Sequence, residues 1–271
     1  MMEVTYIDHM GSDLSVVNAA RVSFGKKSEW HQRIYTGEPN ILKGKDAKLI
    51  RYLAKNNHKS PFNHTFATFH VKAPVFVARQ LQKHEYMPWN EISRRYVDDK
   101  PEFYQPDEWR GRSADKKQGS EGVITTLEWS EPDDYYDEYY PDDKQHLKPW
   151  VHYKDTPKDI TEGLYKQARE IYNILIQGDV APEQARMVLP QSMMTEWYWS
   201  GTVYAFAKMC QLRMQQDTQQ ETREVAMQID EYMEKLYPES WKALMKDSWR
   251  KCVSCGNPSK GEFCGFCIEE E

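Results

Sequence analysis

Between Pro190 and Pro238 the chain carries no proline and a single glycine, Gly201. Proline removes a backbone donor and clashes inside a helix, and glycine costs chain entropy. A stretch this long without either is built for extended regular structure. Within it Val203, Phe206, Ala207, Cys210 and Met214 keep the spacing of a buried helical stripe. The pattern makes 190–238 the longest helical region, with a second helix or a continuation over about 219–236. Cys210 then reads as core, and Trp197 and Trp199 read as packing. Helices are also expected over 46–56, behind the acidic start Asp46, over 161–178, and briefly near Pro182. Thr65–Val71 alternates, with Ala67, Phe69 and Val71 on one face, and so predicts a strand whose His70 finds a partner in the sheet. Pro74 can open the next helix, where its missing N–H costs nothing. On that helix Gln80, Lys83 and His84 stand at i, i+3 and i+4 and would share a face.

At 271 residues the chain can bury a sizeable core, in one large domain or two. A net charge of -6 argues against nucleic-acid binding through an overall basic field. No apolar run is long enough to span a bilayer, so no membrane partner is expected. The opening Met1–Asp8 lacks a basic region followed by an apolar stretch, which points to a cytoplasmic protein. Residues 97–160 differ in character: Glu131 to Asp143 holds seven acids, four tyrosines and no base. This reads as a surface insertion over about 107–155.

Four of the five cysteines lie in the last twenty residues, as Cys252-x2-Cys255 and Cys264-x2-Cys267 with eight residues between the pairs. Paired Cys-x2-Cys turns supply four thiolates to a tetrahedral structural zinc, and Gly256 and Gly265 relieve the tight backbone. Two disulfides or an iron–sulfur cluster would use the same residues. The expected division is a main domain over 1–248 and a small zinc knuckle over 249–271.

The densest polar chemistry is Asn90-Glu91-Ile92-Ser93-Arg94-Arg95-Tyr96, just after Lys83-His84-Glu85. If extended, it projects Glu91, Ser93 and Arg95 to one side and Asn90, Arg94 and Tyr96 to the other. Acceptor, hydroxyl and cation on one face suit a ligand with both phosphate and heterocycle, since guanidinium matches phosphate bidentately. A solvated strand with a surface salt bridge fits the same residues.

Taken in order, several clusters resemble the flavin-dependent thymidylate synthases. These are Asn18-Ala19-Ala20-Arg21-Val22-Ser23, Ser60-Pro61-Phe62, Phe69 to Pro74, Arg79-Gln80, Lys83-His84-Glu85, Asn90 to Tyr96, Ala185 to Pro190 and Leu212-Arg213. In the family an Arg-His-Arg triplet precedes, by seven residues, a serine inside Asn-Glu-x-Ser-x-Arg-Tyr; Lys83-His84-Glu85 and Ser93 hold those places. The resemblance covers roughly 10–106 and 160–235. It implies an α+β fold, an antiparallel sheet with long helices, assembled as a homotetramer with shared active sites. It also implies reductive methylation of dUMP to dTMP, with methylenetetrahydrofolate as carbon donor, FAD as redox carrier and NADPH as reductant.

By the same resemblance Arg213 contacts the uracil and favours its N3 anion, a catalytic role. Gln80, Lys83, Glu91, Ser93, Arg94, Arg95 and Arg186 match nucleotide positions. His58, Ser60, Lys83, His84, Glu85, Glu91, Thr202, Val203, Tyr204 and Lys208 match FAD positions. Thr202 and Arg213 stand eleven residues apart, about three helical turns, so one face can bear both. Ser93 reads as a positioning hydroxyl, because a nucleophile needs a base and His84 is the only histidine near it in sequence. The chain departs from the family pattern at Lys83 and Glu85, and at Thr202, Tyr204 and Asp217, where Asn, Arg and His are common. Those departures fall on the flavin side, and the change at Lys83 and Glu85 motivates an alternative, a non-catalytic nucleotide-binding relative. A flavin-free folate enzyme would need a catalytic cysteine, and Cys210 sits on the core stripe instead.

Overall fold

The computed structural model describes residues 1–31, 41–114, 119–132, 150–246, 250–251 and 258–259. The four tail cysteines and most of the acidic tyrosine-rich segment lie outside the described residues. The chain divides into two compact units, Met1–Ser93 with Gln191–Glu271, and Arg94–Pro190.

The first unit opens with β1 (Glu3–Met10), α1 (Asp13–Arg21), α2 (Gly44–Lys55), β2 (Phe66–Pro74), α3 (Val75–Leu81) and β3 (Trp89–Glu91). The second holds β4 (Arg110–Arg112), β5 (Ser120–Val123), β6 (Leu127–Pro132), β7 (Trp150–Asp155), α4 (Pro157–Gln177) and α5 (Pro182–Ala185). The first unit resumes with β8 (Met194–Thr202), α6 (Val203–Arg213), α7 (Gln220–Leu236) and α8 (Pro238–Leu244).

A four-stranded antiparallel sheet of order β1-β2-β8-β3 organises the first unit. Strand alternation gives it two distinct faces. On β2 the buried set is Ala67, Phe69, Val71 and Ala73, as the sequence pattern predicts. Opposite them on β8 stand Trp197 and Trp199, paired with Val71 and Phe69. Phe206 of α6 meets Phe69 and Trp199 edge-on, with ring centroids 5.2 and 5.4 Å apart. On the other face His70 lies 3.4 Å from Glu196, and Thr68 bonds Ser200 at 2.9 Å. The single glycine of the stretch has a steric cause: a Cβ at Gly201 would lie 3.0 Å from Met87 Cε and 3.3 Å from Phe206 Cε2.

The long proline-free stretch therefore holds three elements rather than helix throughout. Its first part is strand β8, because Trp197, Trp199 and Gly201 are buried at every second position. The stripe on α6 is as expected, with Val203, Phe206, Ala207 and Cys210 buried. The Cys210 thiol packs against the Ala226 carbonyl of α7 at 3.5 Å. Helix α4 begins at Pro157, four residues before the expected start, because Thr156 caps it by accepting from the Asp159 N–H at 3.1 Å.

Two further expectations are corrected. Helix α3 stops at Leu81, so Lys83 and His84 lie in the turn behind it and do not continue the Gln80 face. Strand β3 stops at Glu91, and Arg94–Tyr96 form a turn, so Glu91, Ser93 and Arg95 are not one alternating face. In the second unit the expected insertion contains two antiparallel strand pairs, β4–β5 and β6–β7, the latter with Trp129 and Tyr153 stacked across it. Among the described residues no helix is long and apolar enough to cross a membrane.

Buried polar groups tie the helices to the sheet. The Tyr237 hydroxyl donates within 3.0 Å of the Met10 and Phe66 carbonyls. Trp241 Nε1 donates to Asp230 at 2.8 Å. Asp13 accepts the first N–H groups of α8, from Glu239 and Ser240, both at 2.9 Å. Helix N-termini leave such donors without intrahelical partners, so losing the acceptor strands two buried amides. Asp13→Ala is expected to lower unfolding stability by about 2 kcal/mol. Urea denaturation checks this; an unchanged midpoint would remove the cap from the account.

Candidate functional site

Arg213, the last residue of α6, is held by two neutral acceptors. Its Nε donates to His84 Nε2 at 3.1 Å, and an Nη donates to the Gln80 carbonyl at 2.8 Å. Gln80 is the penultimate residue of α3 and His84 lies in the turn that follows, so this one corner clamps the end of α6. The Gln80 side chain bonds Gln219 at 2.6 Å, just ahead of α7. Among the described residues no carboxylate pairs with Arg213, so its charge stays uncancelled. Burial lowers the Arg213 pKa from its ordinary value. Burial, and then the Arg213 charge, push His84 down to about 4. The imidazole is therefore neutral at pH 7, and acceptance at Nε2 assigns its proton to Nδ1.

Glu91 is built into the sheet edge. One carboxylate oxygen accepts from Thr195 Oγ1 at 2.7 Å and the other from Trp89 Nε1 at 3.1 Å. Trp89 in turn stacks on Trp197, with centroids 4.4 Å apart. Ser93 follows as a partly buried residue, while Lys83 and Glu85 are exposed. Tyr86, next to them, has φ of 59° and is 90% exposed, an uncommon pairing for a bulky residue.

The second unit handles its arginines differently. Arg94 is buried in its own turn, with Nη1 donating to the Asp99 carboxylate and carbonyl, both at 2.6 Å. Its reach is taken up by structure. Arg95 and Arg186, far apart in sequence, are gathered at one residue. Arg95 Nε lies 3.5 Å from the Glu183 carboxylate, and Arg186 Nε donates to the Glu183 carbonyl at 3.3 Å. Arg95 also lies over the Tyr96 ring, 5.4 Å from its centroid.

The remaining sequence candidates cluster at the start of α6. Thr202 caps the helix by accepting from the Ala205 N–H at 3.1 Å, and its hydroxyl donates to Asn63 at 2.9 Å. The Tyr204 hydroxyl donates to Asn57 at 3.0 Å. Ammonium groups of Lys208 and Lys59 lie over its ring, 5.5 and 5.8 Å from the centroid. Val203 is wholly buried, so its side chain serves the core. Ser60 is exposed and opens the short 3-10 turn Ser60–His64.

Beside Tyr204 lies a cavity of about 860 Å³ between α2, α6 and α8. His58, Tyr204 and Lys208 line it, as do Arg51, Lys55, Lys242 and Lys246. Among the described lining residues the one acid, Glu239, pairs with Arg51 at 3.3 Å. The sequence reading missed these four cations. Arg51 and Lys55 stand at i and i+4 on α2, a legible shared face. Lys242 and Lys246 have the same spacing, but α8 ends at Leu244, and it is the packing of α8 on α2 that brings them to the cavity.

The depressed His84 pKa has a stability consequence. Between its folded value of about 4 and its ordinary 6.5 the unfolded chain binds more protons. This contribution is fully present above pH 6.5 and is lost as pH falls toward 4. Unfolding stability measured across that range is expected to fall on acidification. His84→Gln should flatten the curve; an identical curve in the variant would count against a neutral, buried His84.

The family profile described as thymidylate synthase complementing protein matches residues 5–239. A flavin-dependent thymidylate synthase of Thermus thermophilus is 34% identical over 241 residues, covering 89% of this chain and 74% of the relative. Another, from Thermosipho africanus, is 34% identical over 244 residues, covering 90% and 91%. Among solved structures, a UMP/dUMP methylase PolB from Streptomyces cacaoi bound with 5-Br dUMP is similar with a TM-score of 0.64 at 29% identity. That match covers 90% of this chain and 95% of the methylase. The same methylase bound with 5-Br UMP gives a TM-score of 0.67 at 27% identity, covering 90% and 94%. A match over most of the chain, alongside an antiparallel sheet with long helices, identifies this protein as a member of the thymidylate synthase complementing protein family, with the flavin-dependent thymidylate synthases.

Proposed function

We propose that this protein methylates dUMP to dTMP, with methylenetetrahydrofolate as carbon donor, FAD as redox carrier and NADPH as reductant. The observation that carries the reading is Arg213: a partly buried guanidinium, anchored by two neutral acceptors, with no carboxylate to cancel it among the described residues. Such a group stabilises an anion where it develops, here at uracil N3, and it stays charged throughout. The similar methylase binds brominated dUMP and UMP, and the similar bacterial enzymes are named for flavin-dependent synthesis of thymidylate.

Other residues take supporting roles. Arg95 and Arg186, drawn together at Glu183, are assigned to the nucleotide phosphate, which guanidinium forks match. Gln80, Lys83 and Ser93 are assigned to the nucleotide as positioning groups, Glu91 as the rigid edge that sets the direction of Ser93. The cavity beside Tyr204 fits an anionic dinucleotide: Arg51, Lys55, Lys208, Lys242 and Lys246 outnumber Glu239. His58, Ser60, Thr202 and Tyr204 belong to the same region. When bound, FAD supplies the redox chemistry; the chain binds, orients and screens charge. Glu85 opposes an anionic cofactor, and Lys83 beside it offsets that charge.

The wider organisation follows the same reading. Helix α4 exposes Ile160, Leu164, Ile171 and Ile174, an apolar stripe that supports assembly into a homotetramer. Cys252, Cys255, Cys264 and Cys267 are assigned to a structural zinc in a tail over 249–271, and the protein to the cytoplasm. A second reading, a non-catalytic nucleotide-binding relative, is favoured only by Lys83 and Glu85 in the family's arginine positions.

One assay separates the two. Purified protein incubated with dUMP, FAD, NADPH and methylenetetrahydrofolate is expected to form dTMP, with UMP run in parallel. Arg213→Ala should lower turnover by about 100-fold or more while FAD stays bound. Protein that binds dUMP yet never takes up FAD, even with excess cofactor, would leave the non-catalytic reading standing.

A further inference from the structure

We propose that His84 is a positioning residue for Arg213: it accepts the Arg213 Nε–H at Nε2 and aims the guanidinium without cancelling its charge. This rests on the reading that Arg213 meets the uracil. It is a role beside the flavin contact that the family resemblance implies for His84.

The geometry is specific. An arginine at the end of a helix has four side-chain torsions to fix before it can meet a ligand. Arg213 is fixed at two donors, by His84 Nε2 at 3.1 Å and the Gln80 carbonyl at 2.8 Å. Both acceptors come from one corner, the end of α3 and its following turn. The Trp199 ring stands 6.5 Å from the imidazole and closes one side of it. Other arginines of this chain are fixed by carboxylates: Arg21 by Asp46, Arg51 by Glu239, Arg94 by Asp99 and Arg95 by Glu183. A carboxylate at position 84 would hold Arg213 as firmly, but it would neutralise the cation and repel an anionic uracil. A lysine would repel Arg213. A neutral imidazole can hold the group and leave the charge intact. With its proton on Nδ1, His84 keeps its remaining ring N–H for a second partner.

Position 84 therefore constrains chemistry more tightly than positions 83 and 85. Lys83 and Glu85 flank it as exposed residues, and among the described residues no comparable contact fixes their identity. Replacement of the family's flanking arginines by Lys83 and Glu85 leaves the His84–Arg213 contact in place.

The test is a double-mutant cycle in dUMP affinity, read by calorimetry on full-length, FAD-loaded protein. His84→Ala is expected to weaken dUMP binding about tenfold, the usual size for one hydrogen bond to a charged group. His84→Gln should restore most of that, because its amide oxygen accepts where Nε2 did. In an Arg213→Ala background, His84→Ala should add no further loss. Full additivity would overturn the proposal, and so would a His84→Ala variant that sheds FAD while keeping its dUMP affinity. Failure of wild-type protein to bind dUMP would instead sink the nucleotide reading. The pairing is then read directly by nitrogen NMR of labelled histidine. The expected state is a neutral His84 with its proton on Nδ1 at pH 6, moving toward ordinary titration in Arg213→Ala. A His84 that titrates near 6.5 in the wild type, the ordinary value, would refute the pairing itself.

Discussion

Phe206 wedged edge-on between Phe69 and Trp199 fixes how helix α6 crosses the sheet, and the chemistry of the first unit depends on that crossing. The helix carries Thr202 at its cap, Tyr204 and Lys208 along the cavity side, and Arg213 at its end. A change in its angle would move all four together. Edge-to-face aromatic pairs add about 0.5–1.5 kcal/mol each beyond burial, whereas exposed ion pairs such as Arg51–Glu239 contribute about 0–1 kcal/mol. The aromatic clamp, rather than the rim charges, therefore sets the position of the functional groups. Gly201 belongs to the same constraint, since any side chain there would push Phe206 or Met87 away.

The two ends of α6 use charge in opposite ways. At the Arg213 end a single cation is kept whole by neutral partners and part-buried, so that its field is strong and directed. Along the cavity, several exposed cations share a broad surface, where each is weak and solvent-screened but their sum is positive. The first arrangement suits a small anion formed during a reaction. The second suits holding a large, permanently anionic ligand. In a chain of net charge -6 this segregation is a property of the fold, because the acids concentrate elsewhere, as in Glu131–Asp143.

Elements with an uninterrupted local signal were legible in sequence. Strand β2 showed its alternation, α6 its stripe, and the order of the motifs pointed to the family. Two elements depart from their local signal for a common reason, pairing in the sheet. Nothing between Leu81 and Pro88 is a breaker, so the helical pattern of α3 runs on through Lys83 and His84. The helix ends at Leu81 because β3 must pair with β8: Trp89 stands opposite Trp199, and the Ile92 N–H reaches the Glu196 carbonyl at 2.9 Å. Likewise β8 lay hidden inside a proline-free stretch, although Trp197, Trp199 and Gly201 carried a period of two. The partners of site residues were less legible still. No pattern joins Arg95 to Arg186, or Lys242 to Lys55; tertiary packing does.

The departure at Tyr204 illustrates how a charge can be kept in space when it is lost in sequence. The family often places arginine there, and a tyrosine removes that cation outright. Yet the Tyr204 ring has Lys59 and Lys208 ammonium groups over it, and its hydroxyl is fixed by Asn57. An aromatic face attracts cations through its quadrupole, so the ring holds Lys208 at the cavity wall and Lys59 nearby. Positive charge is thus held around a rigid ring at this position rather than on its own side chain. Lysine is the more strongly hydrated and less directional cation, so the exchange keeps the sign and loosens the geometry. The fork-like geometry of guanidinium is kept at Arg95 and Arg186, where a shared anchor, Glu183, brings the two groups together.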